Sequence, residues 1–300
     1  KTINYLCTVI IPSKQQLYME REIIRKIIIE GQEFVNEIPL IKRPFFFEKN
    51  GNYVFVGIRQ AGKSYLLYQR IQQLIEEGHS IEEMVYINFD DERLRQFTTH
   101  DFDLILQAYA SMFNLRPILF FDEIQNIEGW ENFARRLANQ KYNVYITGSN
   151  AKMLSREIAT TLGGRYWNAD VYPYSFFEYL KAKNITLATN WMYGKQSAEV
   201  SKLFNDYFSF GGFPELVDII AKRAWLNDIY SKIFFSDLIV RNKIRNEEAM
   251  GLLVKRLAEG VKQPVSHTRL ANLISTAGIK ISKATIIDFI KYLKESCLLF

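Results

Sequence analysis

Short apolar runs alternate with helical patterns over the first 170 residues of the chain. Runs rich in Val, Ile, Tyr and Phe predict strands that are buried on both faces. The segments 101–113, 129–140 and 151–162 place apolar residues at helical spacing. This alternation predicts an α/β fold with a parallel five-stranded sheet covered by helices. The predicted strands are Tyr53–Val56, Met84–Asn88, Pro117–Phe121, Asn143–Thr147 and Trp167–Val171.

The segments on either side of this region have different patterns. Residues 15–35 predict a helix that ends near Gly31, and a connector that contains prolines follows. After Pro173 the chain is aromatic-rich, and its pattern is helical to about residue 258. We therefore divide the chain into an N-terminal helix and connector (1–49), an α/β core (50–173), a helical unit (174–260) and a C-terminal unit (261–300).

The C-terminal unit has the pattern of a helix-turn-helix. The predicted helices are Ser266–Thr276 and Lys283–Ser296, with a break at Gly278 and a cap at Ser282. Exposed lysines on the second helix either contact DNA phosphates or form an ordinary solvated face. The final residues, Cys297–Phe300, predict a strand, and we expect the native chain to continue beyond them. These lysines are Lys280, Lys283, Lys291 and Lys294.

Composition narrows the class of protein. The chain has 300 residues, of which 48% are hydrophobic and 24% charged, which is typical of globular domains and excludes disorder. The net charge of +5 permits an anionic partner without requiring one. Cys7 and Cys297 are the only cysteines, which favours a reducing compartment and a cytoplasmic location. No apolar run approaches the length of a membrane span, so no membrane partner is expected.

The strongest chemical motif follows the first predicted strand and opens a helix at Tyr65. It matches the pattern G-x-x-x-x-G-K-[ST] in full. Its glycines let the backbone wrap around phosphate oxygens, which its N–H groups and the helix N-terminus attract. Lys63 is expected to reach the β- and γ-phosphates, and the Ser64 hydroxyl to ligate Mg²⁺. We call this motif the phosphate loop. It consists of Gly57, Ile58, Arg59, Gln60, Ala61, Gly62, Lys63 and Ser64, and we add Tyr65 as a contact.

Two carboxylates, Asp122 and Glu123, end the third apolar strand. An Asp at such a strand end holds Mg²⁺, and an adjacent Glu activates a water aimed at the γ-phosphate. A solvated strand end is the alternative, and the phosphate loop favours the functional interpretation. Because the acceptor is then water, the pair predicts hydrolysis. The intervening strand Met84–Asn88 predicts that the acidic strand is not the immediate neighbour of the first strand.

These motifs together resemble the AAA+ ATPases, in particular a prokaryotic subgroup with an AAA+ module, a winged helix and often a nuclease-like C-terminal domain. The resemblance covers residues 20–300 and implies a P-loop NTPase of the additional-strand type, with a helical lid at 174–260 and a winged helix at 261–300. The subgroup often has Arg where this chain has Gln60, a variable position. The resemblance rests on Gly57–Ser64, Phe121–Asn126 with Gly129 and Trp130, Tyr145–Ser149, Gly163–Tyr166, Pro173–Phe176 and Gly211–Glu215.

The resemblance also implies polar residues that respond to the γ-phosphate. The sensor position at the end of the fourth strand corresponds to Thr147, Ser149 or Asn150, which alternatively cap the following helix. Asn88 matches a position that restrains the catalytic Glu, and it is alternatively a turn residue at a strand end.

Arg165 lies where AAA+ proteins place an arginine finger for the nucleotide of a neighbouring subunit. This implies a homo-oligomer, whereas the alternative is a structural or salt-bridged arginine. Trp130 is expected to pack the helix after the acidic strand, and Pro214 to begin a helical turn.

We therefore predict an ATPase with ATP and Mg²⁺ as cofactors, acting as a switch or motor, with DNA as a candidate partner. The first alternative is a regulatory switch that binds ATP, docks a protein partner and turns over little. The second is a small-molecule phosphotransferase.

Overall fold

Five strands form one parallel sheet in the computed structural model, which describes residues 14–261 and 264–299. The strands are β1 (Tyr53–Val56), β2 (Met84–Asn88), β3 (Ile118–Asp122), β4 (Val144–Gly148) and β5 (Trp167–Asp170). Their order is β2-β3-β4-β1-β5. The parallel sheet is confirmed, and so is the separation of the acidic strand β3 from β1, since β4 lies between them.

Helices cover both faces of the sheet and form the segment after it. The π-helix Ile233–Val240 continues directly from the eighth α-helix. The α-helices of the described residues are α1 (Lys14–Glu37), α2 (Lys63–Glu76), α3 (Phe102–Ala110), α4 (Trp130–Asn139), α5 (Arg156–Leu162), α6 (Phe176–Ala182), α7 (Gln196–Phe210), α8 (Lys222–Lys232), α9 (Glu247–Glu259), α10 (His267–Ser275) and α11 (Lys283–Glu295). None of them has the length and apolar character needed to cross a bilayer.

The long helix α1 covers β2, which is the strand at one edge of the sheet. The predicted helix end near Gly31 is wrong, because α1 continues through this residue to Glu37. A Cβ at Gly31 would lie 3.1 Å from the Tyr86 carbonyl oxygen, so glycine permits a close approach to β2. The buried Gln32 side chain donates to the Met84 carbonyl oxygen at 2.9 Å. Covering an edge strand in this way removes a site for unwanted strand pairing.

The predicted helix over 151–162 is divided in the structure. A 3-10 turn, Ala151–Leu154, comes first, and α5 follows it. The division occurs at Ser155, whose side chain accepts a hydrogen bond from the Ile158 N–H at 3.4 Å and so caps α5.

Trp130 and Pro214 have the structural roles that the sequence predicts. Trp130 is buried at the start of α4, and Pro214 begins the 3-10 turn Pro214–Val217. The Gly212 carbonyl accepts from the Tyr174 N–H at 2.6 Å, and a Cβ at Gly212 would lie 2.0 Å from the Tyr174 carbonyl oxygen. Only glycine allows this approach, which fixes the position of Pro214.

The two predicted C-terminal helices are present as α10 and α11, and they share a core with α9 and the π-helix. Ser266 and Ser282 cap them by accepting from the N–H groups of Arg269 and Thr285, at 3.2 and 3.0 Å. The side chains of this shared core include Leu238, Met250, Leu253, Leu270, Ile274, Ile286 and Leu293.

The predicted strand at Cys297–Phe300 is wrong for its described residues, 297–299, and Phe300 lies outside the described residues. The chain turns at Cys297, which has a φ of 56°. The N–H groups of Leu298 and Leu299 both donate to the Leu293 carbonyl oxygen, at 3.0 and 3.2 Å. The end of α11 therefore supplies the acceptor that a neighbouring strand would otherwise provide.

Candidate functional site

The phosphate loop connects β1 to α2, and it wraps around the amino group of Lys63. Lys63 is the first residue of α2 and is 4% exposed. Its Nζ donates to the carbonyl oxygens of Gly57 and Ile58, both at 3.1 Å. Gly62 precedes the helix with a φ of 90°, a conformation that glycine adopts without strain. The first turn of a helix also leaves N–H groups unpaired, which makes this helix end suited to an anion.

The carboxylate of Asp122, the last residue of β3, accepts hydrogen bonds from hydroxyl groups of three neighbouring elements. Tyr86 of β2 donates to Oδ2 at 2.7 Å, and Thr147 of β4 donates to Oδ1. The hydroxyl of Ser64, from the first turn of α2, also hydrogen-bonds to this carboxylate. The structure thus brings together Ser64 and Asp122, the two residues that the sequence predicts as Mg²⁺ ligands. Oxygen donors of this kind fit a hard divalent cation.

Glu123 follows directly and turns toward the phosphate loop. Its backbone is left-handed, with a φ of 51°, and its N–H donates to Thr147 Oγ1 at 3.0 Å. Its Oε1 lies 3.7 Å from Lys63 Nζ, and the Gln125 side-chain amide donates to Oε2. A non-glycine residue in this conformation is strained, and such strain is concentrated at functional sites.

Burial raises the pKa of the Asp122 carboxyl, and the negative charge of Glu123 acts in the same direction. Hydrogen bonds from Thr147, Ser64 and Tyr86 lower this pKa and offset part of the effect of burial. A bound cation would reverse the balance, because its charge favours the ionised carboxylate.

A cavity of about 580 Å³ opens beside these residues. It is lined by charged and polar groups and also by apolar and aromatic side chains. This size and this mixed lining suit a nucleoside triphosphate, whose phosphates need cations and whose base needs an apolar wall. The charged and polar lining residues include Arg59, Lys63, Ser64, Asn88, Asp122 and Glu123, and the apolar and aromatic ones include Ile41, Tyr65, Tyr174, Pro214 and Ile229.

Comparison with known families agrees with this geometry. Residues 49–180 match a family described as the AAA domain. We refer to this matched segment as the AAA domain. Residues 201–300 match a second family, described as a domain of unknown function (DUF8612).

Two relatives extend the similarity beyond the AAA domain. An uncharacterized protein of Methanocaldococcus jannaschii, MJ1544, is 33% identical over 283 residues, which cover 93% of this chain and 63% of that protein. An uncharacterized protein of Haemophilus influenzae is 30% identical over 279 residues, covering 92% of this chain and 66% of that protein. The chain therefore spans just under two thirds of the length of these curated relatives.

Solved structures show a weaker likeness. AMPPCP-bound DnaA from Aquifex aeolicus is 13% identical with a TM-score of 0.35, covering 95% of this chain and 89% of that chain. The Aeropyrum pernix ORC1 protein in complex with DNA is 13% identical with a TM-score of 0.36, covering 96% of this chain and 84% of that chain.

Of the sensor candidates in the AAA domain, Thr147 contacts both acidic residues. Ser149 is buried and accepts a hydrogen bond from the Gln125 side-chain amide at 3.4 Å. The carbonyl of Asn150 accepts from the Met153 N–H at 3.0 Å and begins the following turn. A role in sensing the γ-phosphate stays a prediction for all three residues, whereas the link between Thr147 and the acidic pair is present.

Asn88 lines the cavity and is the sheet partner of Asp122, while its side chain makes a turn contact. Its Oδ1 accepts from the Asp90 N–H at 2.9 Å. Within the described part of the chain, no hydrogen bond joins it to Glu123. The turn contact is the one expected of a strand-end turn residue, and a role of Asn88 in restraining Glu123 stays a prediction.

Arg165 lies at the opposite end of the sheet from the phosphate loop. Val56, which precedes the loop, pairs with Asp170 at the far end of β5, and Tyr53 pairs with Trp167 at its start. The length of β5 alone, roughly 10 Å, therefore separates Arg165 from the loop of its own chain. The guanidinium is exposed and donates to the Gly163 carbonyl oxygen at 3.1 Å.

Arg43 is a site residue that the sequence does not reveal. This connector residue donates through Nη1 to the Ala61 carbonyl oxygen of the phosphate loop at 3.1 Å. Its Nε donates to Glu178 Oε1 at 2.7 Å, and its Nη2 to the Tyr172 carbonyl oxygen at 2.9 Å. Arg43 thus ties the loop to α6 and to the chain after β5. A single arginine before a proline carries no pattern that predicts this role.

We expect the substitution Asp122→Asn to raise the melting temperature of the nucleotide-free protein at pH 7. A raised pKa means that folding favours the protonated carboxyl. This contribution to stability is complete below the unfolded-state pKa of about 3.9 and is lost as the pH rises through the raised value. The neutral amide of the Asp122→Asn variant does not ionise, so the variant avoids this loss of stability. The difference in melting temperature between the variant and the unchanged protein should therefore shrink as the pH falls toward 4.

Thermal unfolding followed by fluorescence at pH 4, 5.5 and 7 measures this difference. Asp288→Asn is the control, because it neutralises an exposed carboxylate on α11. A melting temperature of Asp122→Asn below that of the unchanged protein at pH 7 would contradict the expectation.

Proposed function

We propose that the AAA domain binds Mg·ATP and hydrolyses it, and that the protein uses this cycle as a switch or motor in the cytoplasm. The observation that carries the proposal is the convergence of Lys63, Ser64, Asp122 and Glu123 on one cavity. A lysine, a hydroxyl and two carboxylates in this arrangement supply the charge, the metal ligands and the base that phosphoryl transfer to water requires.

Each residue has a separate role in this proposal. The Lys63 amino group exchanges its two carbonyl acceptors for phosphate oxygens. Ser64 and Asp122 hold Mg²⁺, which neutralises charge on the β- and γ-phosphates when it is bound. Glu123 accepts a proton from water as the water oxygen bonds to the γ-phosphorus, and the bond to the bridging oxygen breaks to release ADP. Thr147 positions both carboxylates, since it contacts Asp122 and the Glu123 N–H.

We expect Glu123→Gln to bind ATP with nearly unchanged affinity and to hydrolyse it at least about a hundredfold more slowly. The amide keeps the size of the side chain and removes its ability to accept a proton. Release of inorganic phosphate measures turnover, and a fluorescent ATP analogue measures binding.

Lys63→Ala is the matched comparison, because it should abolish binding itself. ATP affinity of Lys63→Ala equal to that of the unchanged protein would refute the nucleotide site. Unchanged turnover in Glu123→Gln would assign the base to another residue. Analysis of the product, as free phosphate or a phosphorylated acceptor, separates hydrolysis from phosphotransfer to a small molecule.

We also propose that Arg165 completes the site of a neighbouring copy of this chain. Its exposure and its distance from the loop of its own chain support this role. A cation donated to the transferring phosphate stabilises the charge that develops in the transition state.

We expect a mixture of Arg165→Ala and Glu123→Gln proteins to hydrolyse ATP faster than either variant alone. In a mixed oligomer, a subunit with intact Glu123 receives Arg165 from its neighbour. The ATPase rate of the mixture across protein concentration is the measurement. A mixture no faster than the sum of its two parts, in a proven oligomer, would contradict a shared site.

The DNA-binding proposal rests on the C-terminal helices. The pair α10 and α11, which share one core with α9, supports the winged helix that the sequence predicts, and four lysines that follow Gly278 are exposed. Lysines on one helix face bind the phosphate backbone without sequence specificity. The four residues are Lys280, which precedes α11, and Lys283, Lys291 and Lys294, which lie on α11.

We expect duplex DNA to raise the ATPase rate, and salt to weaken this stimulation because phosphate contacts release counterions. Replacing Lys283 and Lys291 together by Gln should reduce the stimulation. The same replacement of Lys26 and Lys49, two exposed lysines of the N-terminal segment, should leave the stimulation unchanged. A rate that DNA leaves unchanged at low salt would favour the alternative of a switch that docks a protein partner.

A further inference from the structure

The side chain of Arg59, in the middle of the phosphate loop, forms an ion pair with a residue far along the chain. Its Nε and Nη2 donate to Asp237 Oδ2 and Oδ1, at 2.6 and 2.9 Å. Asp237 lies in the π-helix, and its side chain is 2% exposed. Arg241 donates to the same carboxylate at 2.7 Å. The AAA domain match ends at residue 180, so Asp237 belongs to a different part of the chain.

This geometry differs from that of an ordinary surface ion pair. A buried carboxylate is costly unless it is paired and hydrogen-bonded, and the two parallel bonds from Arg59 hold the guanidinium in one orientation. The hydrogen bond to Asp237 also raises the pKa of Arg59, so this side chain is always charged. A π-helix is rare and is found frequently at functional sites.

The position of Arg59 connects this ion pair to the nucleotide site. Arg59 lines the cavity together with Lys63 and Glu123. The negative charge of Glu123 is close enough to act on the guanidinium. Asp237 occupies only the Nε and Nη2 edge, and within the described residues Nη1 donates to no protein acceptor. A guanidinium carries five N–H donors, so it can bind a second anion while it stays paired.

We propose that Arg59 binds the terminal phosphate of ATP through its side chain, and that Asp237 is the positioning residue that orients it. The inference rests on the proposed nucleotide binding and adds a specific property: the site distinguishes a nucleoside triphosphate from a diphosphate through a residue pair that spans two parts of the chain. Because binding and orientation are coupled, occupancy of the cavity also stabilises the π-helix contact.

The test compares binding of a non-hydrolysable ATP analogue and of ADP, both with Mg²⁺, by calorimetry. Arg59→Gln should weaken analogue binding about tenfold or more, the size expected for a charged hydrogen bond, and change ADP binding less than about twofold. Asp237→Asn should show the same selective loss to a smaller extent. In the Arg59→Gln background, Asp237→Asn should cause no further change, because the effect of Asp237 passes through Arg59.

Arg136→Gln is the matched control, since it removes an ion-paired and partly exposed arginine that does not line the cavity. It should leave both affinities unchanged. Arg59 is itself partly exposed, so Arg59→Gln keeps the test valid even where Asp237→Asn lowers the melting temperature.

Two outcomes would overturn the inference. One is a ratio of analogue to ADP affinity that Arg59→Gln leaves unchanged, whether both affinities fall or neither does. The other is an effect of Asp237→Asn that is equally large with and without Arg59. A failure of the unchanged protein to bind either nucleotide would instead contradict the proposed function.

Discussion

The parallel order of β3, β4 and β1 is the constraint on which the candidate site depends. Parallel strands bring their carboxyl ends to one edge of the sheet, so the phosphate loop after β1 and the acidic pair after β3 meet there. The position of β4 between them has a chemical consequence, because Thr147 lies near the carboxyl end of β4. That hydroxyl bonds to Asp122 and to the Glu123 backbone, which links the metal-ligand candidate to the base candidate.

The same arrangement costs stability in the absence of a cation. Asp122 is almost completely buried, and three hydroxyl donors only partly offset the loss of its hydration. Glu123 adds a strained backbone and a second negative charge. Lys63 lies within 3.7 Å of Glu123, yet its amino group is held by loop carbonyls. This unfavourable arrangement fits the proposed Mg·ATP ligand, which would bring both a cation and phosphate oxygens.

The sequence predicts the elements whose determinants are local, and it misses those that depend on distant contacts. The loop and the acidic pair are contiguous motifs beside buried strands, so their positions could be predicted, and their proposed roles come from the same motifs. The end of α1 could not be predicted from the sequence. A glycine usually favours the end of a helix, but Gly31 lies inside α1 and allows it to pack closely against β2. The strand predicted at Cys297 failed since its backbone groups pair with the end of α11. Arg43 and Tyr86 are single residues without a spacing pattern, and only the fold brings them to the site.

The phosphate loop is held from both sides by residues outside its own motif. Arg43, which precedes the AAA domain, bonds to the loop carbonyl of Ala61, and Asp237, which follows it, holds Arg59. Both contacts use the fixed geometry of a guanidinium, which orients its partner in a way that a lysine cannot. In the proposed function, a nucleotide that moves the loop would therefore act on both the N-terminal connector and the π-helix. Because the π-helix shares its core with α10 and α11, this path would connect the C-terminal helices to the occupancy of the cavity.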